Sequence, residues 1–441
     1  MQFGLDGSKG HATRRWTQAA TAEDRRSWEL MPLTALVAEG QAKGQTAQIP
    51  AGAARAGHLI EYAALLREIA RRGGQVEILA RAAAAANRAA REAGSDTALQ
   101  AAALYAQAET ERLGFLLFAD ADAAEAARIH AGEALALAPA PLATARLKAL
   151  KARLQGALAL ALADRAAVAT AIEAQEVAIK VLTALRAPDV EVAALVADRA
   201  EVMIALGQLS HDPSLPTAAE AELAARLNQL DADRTPVTWM RLETLRGQAL
   251  AATGDIAGDA ASIAEAVAAL KEAASALPQG HAPLDESRAG HALGLALQAM
   301  GEACEEEALF DKAVKAFSPA LALLDRTPTL PYRAIVAHDG AVCLARRAER
   351  RGDLKALENA EAAFRSALKA RNAAADPLAW AVTQVALARI YEAQSALRPD
   401  TGERADAAFA LASALEVFTE QGMRSLSATT LAALERLKER V

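Results

Sequence analysis

The stretch PLDESRAGHALGLALQAMGEACEEEALFDKAVKAFSPALALL, residues 283–324, decides the fold. It opens on Pro283, and proline starts a helix at little cost because its missing N–H has no partner in the first turn anyway. Apolar residues then follow at helical spacing as far as Gly301, and a second such run extends from about residue 306 to 324. A glycine at the end of an apolar-periodic run reads as a helix stop, since it enters the left-handed conformation freely. The acidic residues just beyond it suit the start of another helix. The stretch therefore reads as helix, corner, helix.

Working outward, the unit recurs. Pro141, Pro188, Pro236, Pro283, Pro331 and Pro377 are 47, 48, 47, 48 and 46 residues apart, each ahead of a long run with helical spacing. Pro50 lies 91 residues before Pro141, with Ser95 and Asp96 marking the start between them, so eight units fit the chain. A second ladder, Gly207, Gly254, Gly301 and Gly352, has spacings of 47, 47 and 51 and is read as a set of helix stops.

Composition agrees with helix. Alanine supplies about 27% of the 441 residues, aromatics only 4%, and there are 15 prolines, which disfavours a β-sandwich or barrel. Hydrophobic residues at 53% with charged residues at 23% allow a substantial core. The net charge of −7 opposes the broad basic footprint that nucleic acid or anionic membranes attract, so neither is an expected partner. The two cysteines, Cys304 and Cys343, lack a metal-ligand spacing and form no disulfide framework. The start MQFGLDGSKGHATRRW has no apolar signal region and the apolar runs elsewhere, as at 156–163, are short, so a cytoplasmic protein is expected.

The unit resembles the tetratricopeptide repeat, a helix-turn-helix whose signature sets small and large residues at fixed places. In the unit from Pro283, Leu293, Gly294, Leu297 and Gly301 take the first-helix positions, and Ala313, Phe317, Ala320 and Leu321 the second-helix positions. The next unit has Leu344, Ala345, Ala348 and Gly352 followed by Ala360, Phe364, Ala367 and Leu368, and the last has Leu387, Ala388, Tyr391, Ala407, Leu411, Ala414 and Leu415. Small residues let helices approach, and large ones fill the space opposite. This period of about 47 exceeds the family's 34, and the distance from Gly207 to Ala219, Gly254 to Ala266 and Gly301 to Ala313 is 12 residues. The family pattern has five residues there, so this unit has seven more, about two helical turns, between the last small residue of its first helix and the first of its second.

The resemblance implies an all-α, right-handed superhelical solenoid of about eight antiparallel helix pairs over residues 51–426. Residues 1–50 read as an N-terminal arm with one helix over roughly 22–39, opened by a capping-box spacing at Thr21 and Asp24 and ended by Gly40 and Gly44. Residues 427–441 read as a C-terminal capping helix with Leu431, Leu434 and Leu437 on its inner side. Trp16 and Trp28 beside Arg14, Arg15, Arg25 and Arg26 are a candidate docking element or a cover for the first unit. Trp239 and Trp380, three residues after their prolines, are expected to pack on the preceding unit.

A solenoid of this kind binds along its concave surface, where first helices lie. Arg146, Arg241 and Arg288 each follow their unit's proline by five residues, with Arg333 nearby, and such a ladder can hold the carboxylates of an acidic peptide. The competing reading pairs them with local acids such as Glu201 and Glu243. Asn87, Asn228, Asn359 and Asn372 fall outside first helices, so a clamp of asparagines on a terminal carboxylate finds no support.

The sequence carries no GxxxxGK[ST], GxGxxG, HExxH or GxSxG motif. His58 with Glu61 lacks further metal ligands, the acids around Cys304 suit a helix start, and His338 with Asp339 has no nucleophile implied nearby. The expectation is a non-catalytic scaffold or adaptor with no cofactor, binding a protein or acidic peptide. The rival is a sensor whose solenoid encloses a small molecule or signalling peptide and changes curvature.

Overall fold

A computed structural model describes residues 28–47, 49, 51–137, 140–162, 164–325, 327, 331–370, 377–398 and 402–439. The expected features at Thr21, Asp24, Trp16 and the arginines at 14, 15, 25 and 26 lie outside these residues, as do Pro50 and Asn372. Among the described residues every α or β element is a helix. A 3-10 turn, Trp28–Leu30, and helix α1, Leu33–Thr46, come first. The units follow as α2 (Gly52–Gly73) with α3 (Val76–Glu92), α4 (Thr97–Phe118) with α5 (Ala121–Leu137), and α6 (Pro141–Ala161) with α7 (Arg165–Ala184). Next are α8 (Asp189–Ser210) with α9 (Ser214–Leu227), α10 (Pro236–Ala257) with α11 (Ala260–Ala274), and α12 (Pro283–Ala303) with α13 (Glu307–Leu323). The last two units are α14 (Pro331–Arg351) with α15 (Leu354–Ala370) and α16 (Pro377–Leu397) with α17 (Glu403–Glu420), after which comes α18 (Arg424–Glu439). The tetratricopeptide-like architecture of eight helix pairs is thus present.

The proline ladder starts helices as read. Pro141, Pro236 and Pro283 enter the first turns of α6, α10 and α12, whereas Pro188 sits one residue earlier, as the cap of α8. The glycine ladder needs correcting. Gly207, Gly254 and Gly301 lie inside α8, α10 and α12, and the left-handed residues come four positions later, at His211, Gly258 and Glu305. Only Gly352 takes the left-handed conformation itself. The other three mark where the second helix crosses the first: a Cβ on Gly207 would lie 2.5 Å from Pro216 Cδ, on Gly254 2.6 Å from Ile263 Cγ1, and on Gly301 2.9 Å from the Phe310 ring. Ala219, Ala266 and Ala313, the small residues opposite, are fully buried. The small-large pairing of the signature is direct at Gly294, whose Cβ would be 2.8 Å from the Phe317 ring.

Both ends depart from expectation. Helix α1 starts after Pro32 and runs through Gly40 and Gly44, where a Cβ would meet Ile69 Cδ1 at 3.0 Å and the Tyr62 hydroxyl at 2.8 Å. These glycines admit α2 and do not end α1. At the other end α18 begins at Arg424, and Leu434 and Leu437 pack toward Leu387, Tyr391 and Leu411. Leu431 is 44% exposed, because residues three apart drift by about 60° around a helix and two such steps set Leu431 about 120° from Leu437. Trp380 packs against the cluster that holds Ala414 and Phe418 of its own unit.

An open solenoid lets each unit touch only its neighbours. Here the coil returns on itself. Ala70, Leu79, Leu113 and Leu117 of the first two units share one core cluster with Leu284, Ala320, Leu324 and Val336 of the sixth and seventh. Arg71 Nη1 on α2 donates to both carboxylate oxygens of Asp285 on α12, at 3.0 and 3.1 Å, across 214 residues of sequence. The first helices therefore surround a central space.

Candidate functional site

That space is a cavity of about 670 Å³, lined by first helices and by Trp28 and Glu29, a volume in the range of small-molecule pockets, about 300–1,000 Å³. Six arginines line it, Arg71, Arg72, Arg112, Arg153, Arg241 and Arg288, together with five carboxylates, Glu29, Glu68, Glu191, Asp198 and Glu201. Between them runs an apolar strip from Leu113, Leu116 and Leu117 on α4 to Val190, Ala193, Ala194 and Ala197 on α8, and Val237 and Leu242 on α10. Leu116 is 42% exposed, a large apolar side chain facing open space.

The charges form a chain across four successive units. Glu109 on α4 accepts from Arg112 at 3.0 Å and from Arg153 on α6 at 3.1 Å. Arg153 donates at 2.5 Å to Asp198 on α8, which also accepts from Arg241 on α10 at 2.6 Å and pairs with Arg112 at 3.5 Å. Consecutive links are 44, 45 and 43 residues apart. These steps are shorter than the 47-residue period, so the line of contact drifts toward helix starts from unit to unit. Asp198 has no counterpart at a fixed offset from its proline, and for that reason the sequence reading missed it.

Electrostatics follow from the pairing. Burial works against ionised Glu109, but Arg112, Arg153 and Arg67 hold its carboxyl down at about 2. Glu68 is likewise buried and is held at about 2 by Arg71 and Arg72. Asp198, facing Arg153, Arg241 and Arg112, stays well below the usual carboxylate range despite its burial. All three are anions, each bonded to arginine.

The structure separates the four ladder arginines. Arg241 and Arg288 line the cavity, while Arg146 and Arg333 do not. Arg146 makes a bidentate bond at 2.8 Å with Glu191 of the next unit, and Arg333 bonds Asp325 at 3.1 Å. Arg241 pairs with Glu201 at 3.2 Å as the competing reading held, in addition to Asp198. Arg288 has no acidic partner among the described residues; its guanidinium lies 5.7 Å from the Tyr332 ring centre. Tyr332 in turn bonds His291 Nδ1 at 2.9 Å, and His291 Nε2 meets Asp339 at 2.7 Å, tying α12 to α14. Asp339 thus holds a neighbouring helix, and burial makes His338 beside it harder to protonate. His58 and Glu61 are exposed, with Glu61 on Lys43 at 2.9 Å. Among the described residues no group of three His, Cys, Asp or Glu side chains is placed to hold a metal, and no helix is long and apolar enough to cross a membrane.

No protein-family model matches the chain, and no curated protein does. Among solved structures, a Rap protein crystallised in complex with competence and sporulation factor aligns with a TM-score of 0.48 at 12% identity, over 86% of this chain and 98% of that one. A circular tandem repeat protein with a novel repeat topology and enhanced subunit contact surfaces aligns with a TM-score of 0.29 at 14% identity, over 87% and 96%.

Proposed function

We propose that the chain is a non-catalytic scaffold that takes a short peptide or helical segment of a partner protein into the space enclosed by its first helices. The observation that carries this reading is the cavity of about 670 Å³, in which an apolar strip lies beside paired charges. An extended peptide needs apolar recesses for some side chains and polar groups for its backbone, and both are present in one wall. The cavity's shape is held by the seam of Leu117 and Leu284 and by the Arg71–Asp285 bond, so little ordering is left to be done on binding.

Arg241 and Arg288 are assigned the partner contacts. Arg288, with no acid opposite it among the described residues, takes a partner carboxylate, while Arg146 and Arg333 hold their own chain. Selection of peptides from a random display library tests this, with titration calorimetry of the enriched sequences against the parent and Arg288→Glu. Enriched peptides that carry acidic residues and lose about tenfold or more in affinity on Arg288→Glu would support the reading, since a severed charge-assisted contact is worth about 1.5–3 kcal/mol. Equal affinity would remove Arg288 from the site.

A further inference from the structure

We propose that residues 28–33 form a flap, hinged at Pro32, that closes one side of the cavity and is latched by Glu29 on the first turn of α10. Both Glu29 carboxylate oxygens are used there. One accepts from the Val237 and Thr238 amides at 2.9 and 3.0 Å, and the other from the Thr238 hydroxyl at 2.7 Å. Helix α10 has no cap of its own, because the hydroxyl of Thr235 at its cap position donates to the Asp231 carbonyl at 2.9 Å and accepts from no helix amide. Glu29 supplies that cap from more than 200 residues away.

The rest of the latch combines hydrogen bonds with partly buried apolar contacts, Trp28, Met31 and Leu33 packing against the cluster that holds Leu36 and Leu59. Arg72, fully buried on α2, donates to the Trp28 and Met31 carbonyls at 2.9 and 3.0 Å. His281 meets the Glu29 carbonyl at 3.0 Å, and its own carbonyl accepts from the Leu33 amide at 3.1 Å. No residue of 28–33 is buried. By contrast α1, which begins directly after Pro32, is anchored on α2 by fully buried Leu36 and by the close contact at Gly44. One end of the flap is therefore fixed by fully buried packing, and the other is held by hydrogen bonds together with the partly buried contacts of Trp28 and Met31. Trp28 and Glu29 are cavity wall, so releasing the latch widens the entrance while the apolar seam keeps the coil closed.

As a route of entry the flap rests on the reading that the cavity receives a partner segment, but its opening is measurable without one. Ala194 is partly buried in the cavity wall and Ala184 is exposed on α7. In a Cys304→Ser background, with Cys343 buried, Ala194→Cys and Ala184→Cys report access to Ellman's reagent. With the flap latched, the cavity thiol reacts more slowly than the outer one. Glu29→Ala should speed the cavity thiol about tenfold and Glu29→Gln by less, a scale set by the loss of a helix cap, with the outer thiol unchanged. Circular dichroism checks folding, and Glu29→Gln carries the test if Glu29→Ala loses helix. A cavity thiol as fast as the outer one in the latched protein, or unmoved by both substitutions, would overturn the flap and leave peptide binding untouched. Faster labelling with no peptide bound by either form would overturn the binding reading and leave the flap standing.

Discussion

The Glu29 carboxylate caps helix α10 at Thr238, 209 residues further along the chain, at 2.7 Å to the hydroxyl and 3.0 Å to the amide. The contact belongs to neither residue's own unit and depends on the coil bringing its start back to its fifth repeat. Replacing Glu29 with alanine leaves two amides of the first turn without an acceptor. Hydrogen exchange at Val237 and Thr238 should then quicken about fivefold, the equivalent of about 1 kcal/mol of cap, while amides in the middle of α10 keep their protection.

Gly294→Ala should destabilise the protein by about 1–3 kcal/mol, because the new methyl group would stand 2.8 Å from the Phe317 ring in a packed crossing. Phe317→Leu costs stability alone but relieves that clash. In urea unfolding, the double variant should lose clearly less than the sum of the single losses, the non-additivity expected of residues in contact.

The two kinds of ion pair should differ in weight. Asp198 is 11% exposed and serves three arginines, so Asp198→Ala leaves buried cations uncompensated and should cost about 3 kcal/mol or more. Arg146 is 34% exposed, and Arg146→Ala should cost no more than about 1 kcal/mol despite its bidentate bond to Glu191. Equal losses in matched unfolding curves would contradict the assignment of the charge chain to the core.

Acid should unfold the protein through the same chain. Glu68 and Glu109 are held at about 2 in the folded protein against an ordinary value of 4.5, and Asp198 is depressed as well. Between those limits the unfolded chain takes up protons that the folded chain refuses, so stability is complete above pH 4.5 and falls as pH drops toward 2. Urea midpoints measured across that window should decline, and less steeply in Asp198→Asn.

What the sequence made legible was local. The proline at a helix start and the small residue facing a large one, as Gly294 faces Phe317, act within a single unit, and their recurrence revealed eight helix pairs. Gly207 and Gly40 were misread as stops because a glycine demanded by a crossing helix looks the same in sequence as one demanded by a left-handed turn. Ring closure was hidden for another reason. Arg71 meets Asp285, and Glu29 meets Val237, through the tilt summed over five units, a quantity that no single repeat encodes. The same tilt makes ion pairs step by 43 to 45 residues, so a ladder drawn at constant offset from the prolines joined Arg146 to Arg241 although each is bonded to a different acid. Had the arginines been searched for acids two to four residues short of one period, Asp198 and Glu191 would have been found.

In the proposed function a partner segment enters the cavity between the first helices. The most direct test is Ala194→Trp, which sets a large ring in the cavity wall while leaving the outer surfaces of the helix pairs as they are. Peptides enriched on the parent protein should bind the folded Ala194→Trp variant at least about tenfold more weakly, because the ring takes the volume that the apolar strip offers them. Undiminished binding would place the partner outside the ring of first helices and contradict the account.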